Sequence, residues 1–268
     1  MIDDGCRKVA PPSWPGEGGG LLVAVTEPIC PARTEDYHVW YNTVQIPPFL
    51  GMDEVSSVHR FRSSLTQLQS ETATPHSYAA LYYLDVDGMA GLSRFADKQF
   101  AAYERGIVGN RTAGSDAYDQ STSRAIYYAQ IGSRVGSSTA WPKSILMVYT
   151  DPSSPDLEAE FNRWYSDERL ADVVNVPGFV AATRFRLTDL NVGRQFKPWI
   201  VPRRYLAIYE LDVEGSEALA AVSRALRARP NPTSSQALGS GERGSLTQFY
   251  ERIFEPFLPV RKSQAGNS

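Results

Sequence analysis

Cysteine is almost missing from this chain of 268 residues, which carries only Cys6 and Cys30. Two thiols cannot build a disulfide framework or fill a zinc site by themselves, so a reducing, cytoplasmic setting is expected. Histidine is nearly as scarce, with His38, His59 and His76 all in the first half. No apolar run reaches membrane length and none opens the chain as a signal peptide would, which argues against a membrane partner. The net charge of −3 offers no global positive field to gather phosphates, so nucleic acid is not an expected partner. The local cluster of Arg224, Arg227 and Arg229 reads as a complement to a helix dipole. Also lacking are a His-Glu-x-x-His motif, a closely spaced cysteine pair, a Gly-x-Gly-x-x-Gly after a strand, and a local Ser-His-Asp arrangement. Accordingly no metal site and no cofactor are expected. Three histidines keep haem ligation open as a lesser alternative.

What the chain does have is a motif written twice. Asp36-Tyr-His-Val-Trp40-Tyr-Asn-Thr43 is answered 124 residues later by Glu160-Phe-Asn-Arg-Trp164-Tyr-Ser-Asp167. The same offset joins Glu27-Pro28 to Asp151-Pro152 and Arg60-Phe61-Arg62 to Arg184-Phe185-Arg186. Two copies are too few for a solenoid, whereas a fused pseudo-dimer fits them.

Periodicity divides each copy in the same way. Leu21 to Val25 and Ile145 to Tyr149 are short apolar, β-branched runs ending near a proline, and read as first strands. An amphipathic helix follows, drawn by Tyr37, Trp40, Tyr41 and Val44 and by Phe161, Trp164, Tyr165 and Leu170. Strands are then expected at Val58–Arg62 and Val180–Leu187, the second placing Arg184 and Arg186 on one face and Thr183, Phe185 and Leu187 on the other. Alternating strands at Tyr78–Asp85 and Tyr205–Asp212, helices near Met89–Arg105 and Ser216–Arg227, and last strands at Ala125–Ile131 and Leu246–Phe254 complete the pattern. The order β-α-β-β-α-β, twice, predicts an α+β protein of two ferredoxin-like repeats that pack their bare sheet faces together as an intramolecular dimeric α+β barrel. The expected divisions are a flexible leader over 1–19, repeats over 20–135 and 142–258, and a fraying tail over 259–268.

Phe161-Asn162-x-Trp164-Tyr165, Val176-Pro177-Gly178-Phe179 and Ala182-Thr183-Arg184-Phe185 together resemble the EthD-like branch of the dimeric α+β barrel superfamily. The resemblance covers both halves in outline and is crisp in the second. It implies a pocket between sheet and helices, or within the barrel. The chemistry it implies ranges over polyketide cyclases, decarboxylases, lactone isomerases, cofactorless monooxygenases and haem enzymes. Relatives of this kind often place a histidine five residues after the tryptophan; those places hold Gln45 and Arg169, which withdraws support from any step resting on that histidine.

Since a fold does not choose a reaction, local residues carry the functional reading. His59 alternates with Phe61 on its strand and is the candidate general acid or base, with Tyr82 expected to face the same interior. Tyr41 and Tyr82 are candidates to orient or protonate an enol oxygen, and Arg60 to stabilise negative charge. His38, Trp40, Tyr78, Trp164, Arg184 and Tyr209 are the candidate lining of a substrate site. Plain aromatic packing of the phenols and salt bridges from the two arginines to Asp85 or Asp212 stay open as structural alternatives. The expected activity is cofactor-independent proton transfer, as lyase or cyclase, on a small aromatic or polyketide-like substrate. The alternative is a non-catalytic carrier of a hydrophobic metabolite, and pairing of the pseudo-dimeric chain into a homodimer stays open.

Overall fold

The computed structural model describes residues 19–65, 67, 77–191, 203–228 and 245–259. Met1 to Gly18 of the expected leader, with Cys6, lie outside these residues, as do His76, Arg229 and the tail from 260. Within them the first half runs β1 (Gly20–Thr26), α1 (Thr34–Trp40), α2 (Ile46–Leu50), β2 (Val55–Ser63), β3 (Tyr78–Leu84), α3 (Gly88–Glu104) and β4 (Arg124–Gln130). After a two-residue β5 (Val135–Gly136) the order repeats as β6 (Ser144–Thr150), α4 (Glu158–Trp164), α5 (Leu170–Val174), β7 (Phe179–Leu187), β8 (Tyr205–Leu211), α6 (Gly215–Ala228) and β9 (Leu246–Arg252). In each half one π-helical turn, Tyr41–Gln45 and Tyr165–Arg169, fuses the two short helices into a single rod.

The strands form one antiparallel sheet in the order β4-β1-β3-β2-β9-β6-β8-β7-β5, and β4 also pairs with β7. That last pairing closes eight strands into a barrel, with the helices outside. The expectation of two ferredoxin-like repeats packed through their bare faces is therefore corrected. The halves are joined edge to edge, Phe61 to Ser63 of β2 against Tyr250 to Arg252 of β9 and Tyr128 to Gln130 of β4 against Phe185 to Leu187 of β7. The physical reason lies in the edges. Stacking two open sheets would cover their faces but leave four rows of backbone donors and acceptors unpaired, whereas closure pairs the edges and buries the same faces.

Alternation along each strand then sorts side chains into an inner and an outer core. Leu21, Val23, Phe61, Leu81 and Tyr83 meet Ile145, Met147, Phe185, Ile208 and Tyr250 inside the barrel. Leu22, Val58, Tyr82 and Leu84 point outward under α1, α2 and α3, as Leu146, Val148, Ala207 and Tyr209 do under the second-half helices. Each fully buried aliphatic or phenyl side chain contributes about 1.5–3 kcal/mol of transfer free energy. A β-bulge near the start of both β2 and β7, between Val55 and Ser57 and between Phe179 and Ala181, bends these strands at equivalent points.

Because the seams close the sheet, they should open only when the whole barrel unfolds. In native-state hydrogen exchange the seam amides that donate across β2–β9 and β4–β7 are expected to show the same opening free energy as those of central β1 and β6; markedly faster exchange confined to the seams would mean the halves come apart independently.

Candidate functional site

Two buried cations mark equivalent places in the two halves. Arg60 on β2 and Arg184 on β7 are each 1% exposed and point outward from the barrel, toward the π-turn of the helix above. Neither meets a carboxylate among the described residues. Arg184 donates from Nη1 to Ser166 Oγ at 2.9 Å and to the Asn162 carbonyl at 3.2 Å, and from Nη2 to Asn162 Oδ1 at 2.9 Å. Its guanidinium also lies over the rings of Tyr165, Tyr205 and Phe161 at 4.5, 5.3 and 5.4 Å. Stripping water from a guanidinium costs several kcal/mol, and neutral acceptors with aromatic faces return only part of it, so a buried cation held this way is poised to receive an anion. Burial accordingly pushes the Arg184 pKa down, against the opposing pull of Tyr165, Tyr209 and Tyr205.

Over Arg184 opens a cavity of about 310 Å³, lined by Ile131, Gly132, Glu158, Asn162, Ser166, Arg184, Arg186 and Tyr205. Glu158, Asn162 and Ser166 follow one another at i, i+4 and i+8, so α4 and its π-turn present them as one polar stripe above β7. Tyr205 donates its hydroxyl to Glu158 Oε1 and receives a hydrogen bond from Asn162 Nδ2 at 2.8 Å, while Arg204 bonds the other Glu158 oxygen. Arg186 comes within 3.8 Å of Glu158 at the mouth. The Tyr205 hydroxyl holds the Glu158 carboxyl below the usual carboxylate range, against the opposing effect of burial and with help from Arg204 and Arg186. Burial first, then the Glu158 charge, push the Tyr205 phenol up. At neutral pH the site therefore offers an ionised carboxylate, a neutral phenol aimed at it, and two guanidinium charges.

No protein-family model matches the chain, and no curated protein matches it. Among solved structures it is similar to a proposed monooxygenase from Lactobacillus acidophilus NCFM, at 8% identity and a TM-score of 0.50 over 88% of this chain and 94% of that one. It is also similar to an anthrone oxidase-like protein, at 12% identity and a TM-score of 0.49 over 94% and 98%. A regulator of staphylococcal pathogenesis aligns at 10% identity and a TM-score of 0.42 over 87% and 99%. At such identities the likeness concerns the fold alone.

The residues singled out from sequence are not gathered in one place. His59 lies inside the barrel, packed near-parallel to Phe61 and edge-on to Tyr83 and Trp141, with Nε2 3.1 Å from Ser57 Oγ. Tyr82 faces the other way, under the helices, because the register pairs it with Val58 while His59 pairs with Leu81. Its hydroxyl donates to Tyr41 at 3.3 Å, and Tyr209 donates to Tyr165 at 3.4 Å in the second half; burial pushes all four phenols up. Trp40 and Trp164 are core residues, the first bonding Thr112 Oγ1 at 2.8 Å and stacking on Tyr118. Arg60, His38 and Tyr78 cluster in the first half, away from the cavity, with His38 and Tyr78 4.8 Å apart. Gln45, at the family histidine position, accepts the Gly109 N–H at 2.7 Å. Arg60 and Arg184 reach amide and hydroxyl acceptors rather than Asp85 or Asp212. Among the described residues no group of three or more His, Cys, Asp or Glu is placed to hold a metal ion, and no helix is long and apolar enough to cross a membrane.

Of the cavity lining only Arg184 stood among the candidates. The Glu158, Asn162, Ser166 stripe was readable from its spacing, and Tyr205 from its place at the start of an alternating strand. Gly132 gave no periodic signal, although its φ of 71° and the open space where a Cβ would stand make it the gap in the wall.

Two outcomes follow from this geometry. Gly132→Phe should abolish any thermal shift that phenolic acids produce in the unaltered chain while the fold persists, at a strain cost of about 1–3 kcal/mol for a side chain at positive φ; an undiminished ligand response would place the binding elsewhere. His59 is held at about 3 by burial, and secondarily by the Arg252 charge, against an ordinary 6.5. With the folded value below the unfolded one, its contribution to stability is complete above about 6.5 and is lost as pH falls toward about 3. Urea midpoints at pH 7 and pH 4.5 should therefore differ less in His59→Gln than in the unaltered chain.

Proposed function

We propose that the chain is a small-molecule enzyme of the proton-transfer type that binds an aromatic or polyketide-like acid over Arg184. The observation that carries this reading is the 310 Å³ cavity whose floor is a buried guanidinium without a carboxylate partner and whose wall is the Tyr205–Glu158 pair. Its size, at the lower end of ligand sites, suits one or two fused rings. In this scheme Glu158 takes a proton from the carbon next to a carbonyl. The electron pair moves onto the carbonyl oxygen, and the developing negative charge is held by Arg184 and Arg186. Tyr205, fixed between Glu158 and Asn162, passes the proton back to the product. Ring closure and dehydration start from such an enolate, the hydroxyl in dehydration leaving as water with the proton that Tyr205 passes on; in decarboxylation the enolate forms instead as the C–C bond breaks and CO2 leaves, and only its protonation through Tyr205 is used. The likeness of fold to a protein named as a monooxygenase supports chemistry on small molecules in a barrel of this kind.

This reading moves the acid-base work from His59 to Glu158. A histidine inside the barrel, enclosed by Phe61, Tyr83 and Trp141, has no access to the cavity for the task. The resemblance to EthD-like proteins fits a pocket on the helix side of the sheet, and it rests on the residues that carry it.

With aromatic and polyketide-like acids assayed by mass spectrometry, Glu158→Gln should lower turnover by at least ~10²-fold and leave binding largely intact. Arg184→Gln should lower turnover and weaken binding together, and His59→Gln should change turnover little. Ligand binding at the cavity with no product from any acid tested would instead make the chain a carrier.

A further inference from the structure

The two halves are equivalent down to the backbone around their arginines. The Ile131 N–H donates to the Arg184 carbonyl at 2.9 Å and the Ile253 N–H to the Arg60 carbonyl at 3.1 Å. The next residue on each strand exit is then Gly132 in one copy and Phe254 in the other. Where Gly132 leaves the cavity open, the half-buried Phe254 ring covers its counterpart, with its centroid 5.3 Å from the Arg60 guanidinium and 5.5 Å from the His38 ring.

What lies beneath Phe254 is not a satisfied core. Arg60 donates from Nη1 to Asn42 Oδ1 at 2.7 Å and lies 4.2 Å over the Tyr41 ring, yet its buried Nη2 has no hydrogen-bond partner. The nearby Tyr37 hydroxyl bonds Thr26 Oγ1 at 2.6 Å and also feels a hydrogen-bonding pull from Arg60, but this leaves Nη2 without a hydrogen bond of ordinary geometry. His38 Nδ1 is also buried without a partner. A buried polar atom left unpaired costs about 1–3 kcal/mol, more when charged, so two such atoms under one half-buried ring describe a site with its ligand excluded. Burial and the Arg60 charge hold His38 at about 4, so its imidazole is neutral at physiological pH and can give one hydrogen bond from Nδ1.

We propose that the first half holds a second binding site, for an aromatic carboxylate, whose ring takes the place of the Phe254 side chain and whose carboxylate accepts from Arg60 Nη2 and His38 Nδ1. Phe254 is its lid and must swing outward for the ligand to enter. The observations behind this site are its own: the unpartnered Arg60 Nη2 and His38 Nδ1 would be there whether or not the Arg184 cavity is catalytic.

The test follows the His38 imidazole by ¹H–¹⁵N NMR while benzoate is added, with sodium chloride at matched ionic strength as control. Benzoate should shift the His38 resonances in the unaltered chain and half-saturate at a concentration ~10-fold lower in Phe254→Ala, where no lid has to be displaced. Phe254→Leu should fall between them, and it stands in if the alanine variant does not fold. Adding Arg60→Gln to Phe254→Ala should remove the response. Arg184→Gln should leave it unchanged, which separates this site from the cavity of the second half. No benzoate-dependent shift in a folded Phe254 variant, a shift reproduced by salt alone, or a response confined to the variants would overturn the proposal.

Discussion

Closure of the hydrogen-bonded ladder is the constraint from which the rest of the molecule follows. Once β2 meets β9 and β4 meets β7, no strand of the barrel has an open side, and every alternate residue is committed either to the interior or to the helix layer. A residue on this sheet cannot change its surroundings without a register slip, and such a slip would turn the whole strand inside out. The placement of Arg60 and Arg184 is one result. They emerge on the helix side because Phe61 and Phe185 must go inward.

The helix layer answers that placement with the π-turn. Both copies widen at the residue after the tryptophan, and there Asn42 in one half and Ser166 in the other come within reach of the arginine below. Aromatic rings complete the cradle, with Tyr41 and Tyr165 under the guanidinium planes. The cradle is neutral, so it tolerates the cation without discharging it. That sets it apart from a structural ion pair such as Arg134 with Glu210, whose oxygen and nitrogen lie 2.7 Å apart in bidentate contact.

The duplication, the order of elements and the two-residue alternation were all legible in the chain, and so was the separation of Arg184 and Arg186 from Phe185. How the two sheets meet was not, because edge pairing is a contact between segments far apart in sequence with no composition of its own. The grouping of His59 with Tyr82 failed for a related reason: facing is set by register between neighbouring strands, and the bulge after Val55 shifts that register in a way no single strand reveals. Histidine drew attention by its titration range, yet the groups at the cavity are a glutamate, a tyrosine and arginines whose setting only tertiary contacts create. Gly132 was invisible because its contribution is an absence.

A homodimer encoded once must carry the same residue at both symmetry-related positions, so a substitution that blocks one pocket blocks the other. Joining the copies into a single polypeptide lifts that obligation. Gly132 and Phe254 show the freedom in use: one half keeps a doorway and its twin has it shuttered, so a single chain can divide labour that paired identical subunits would have to share.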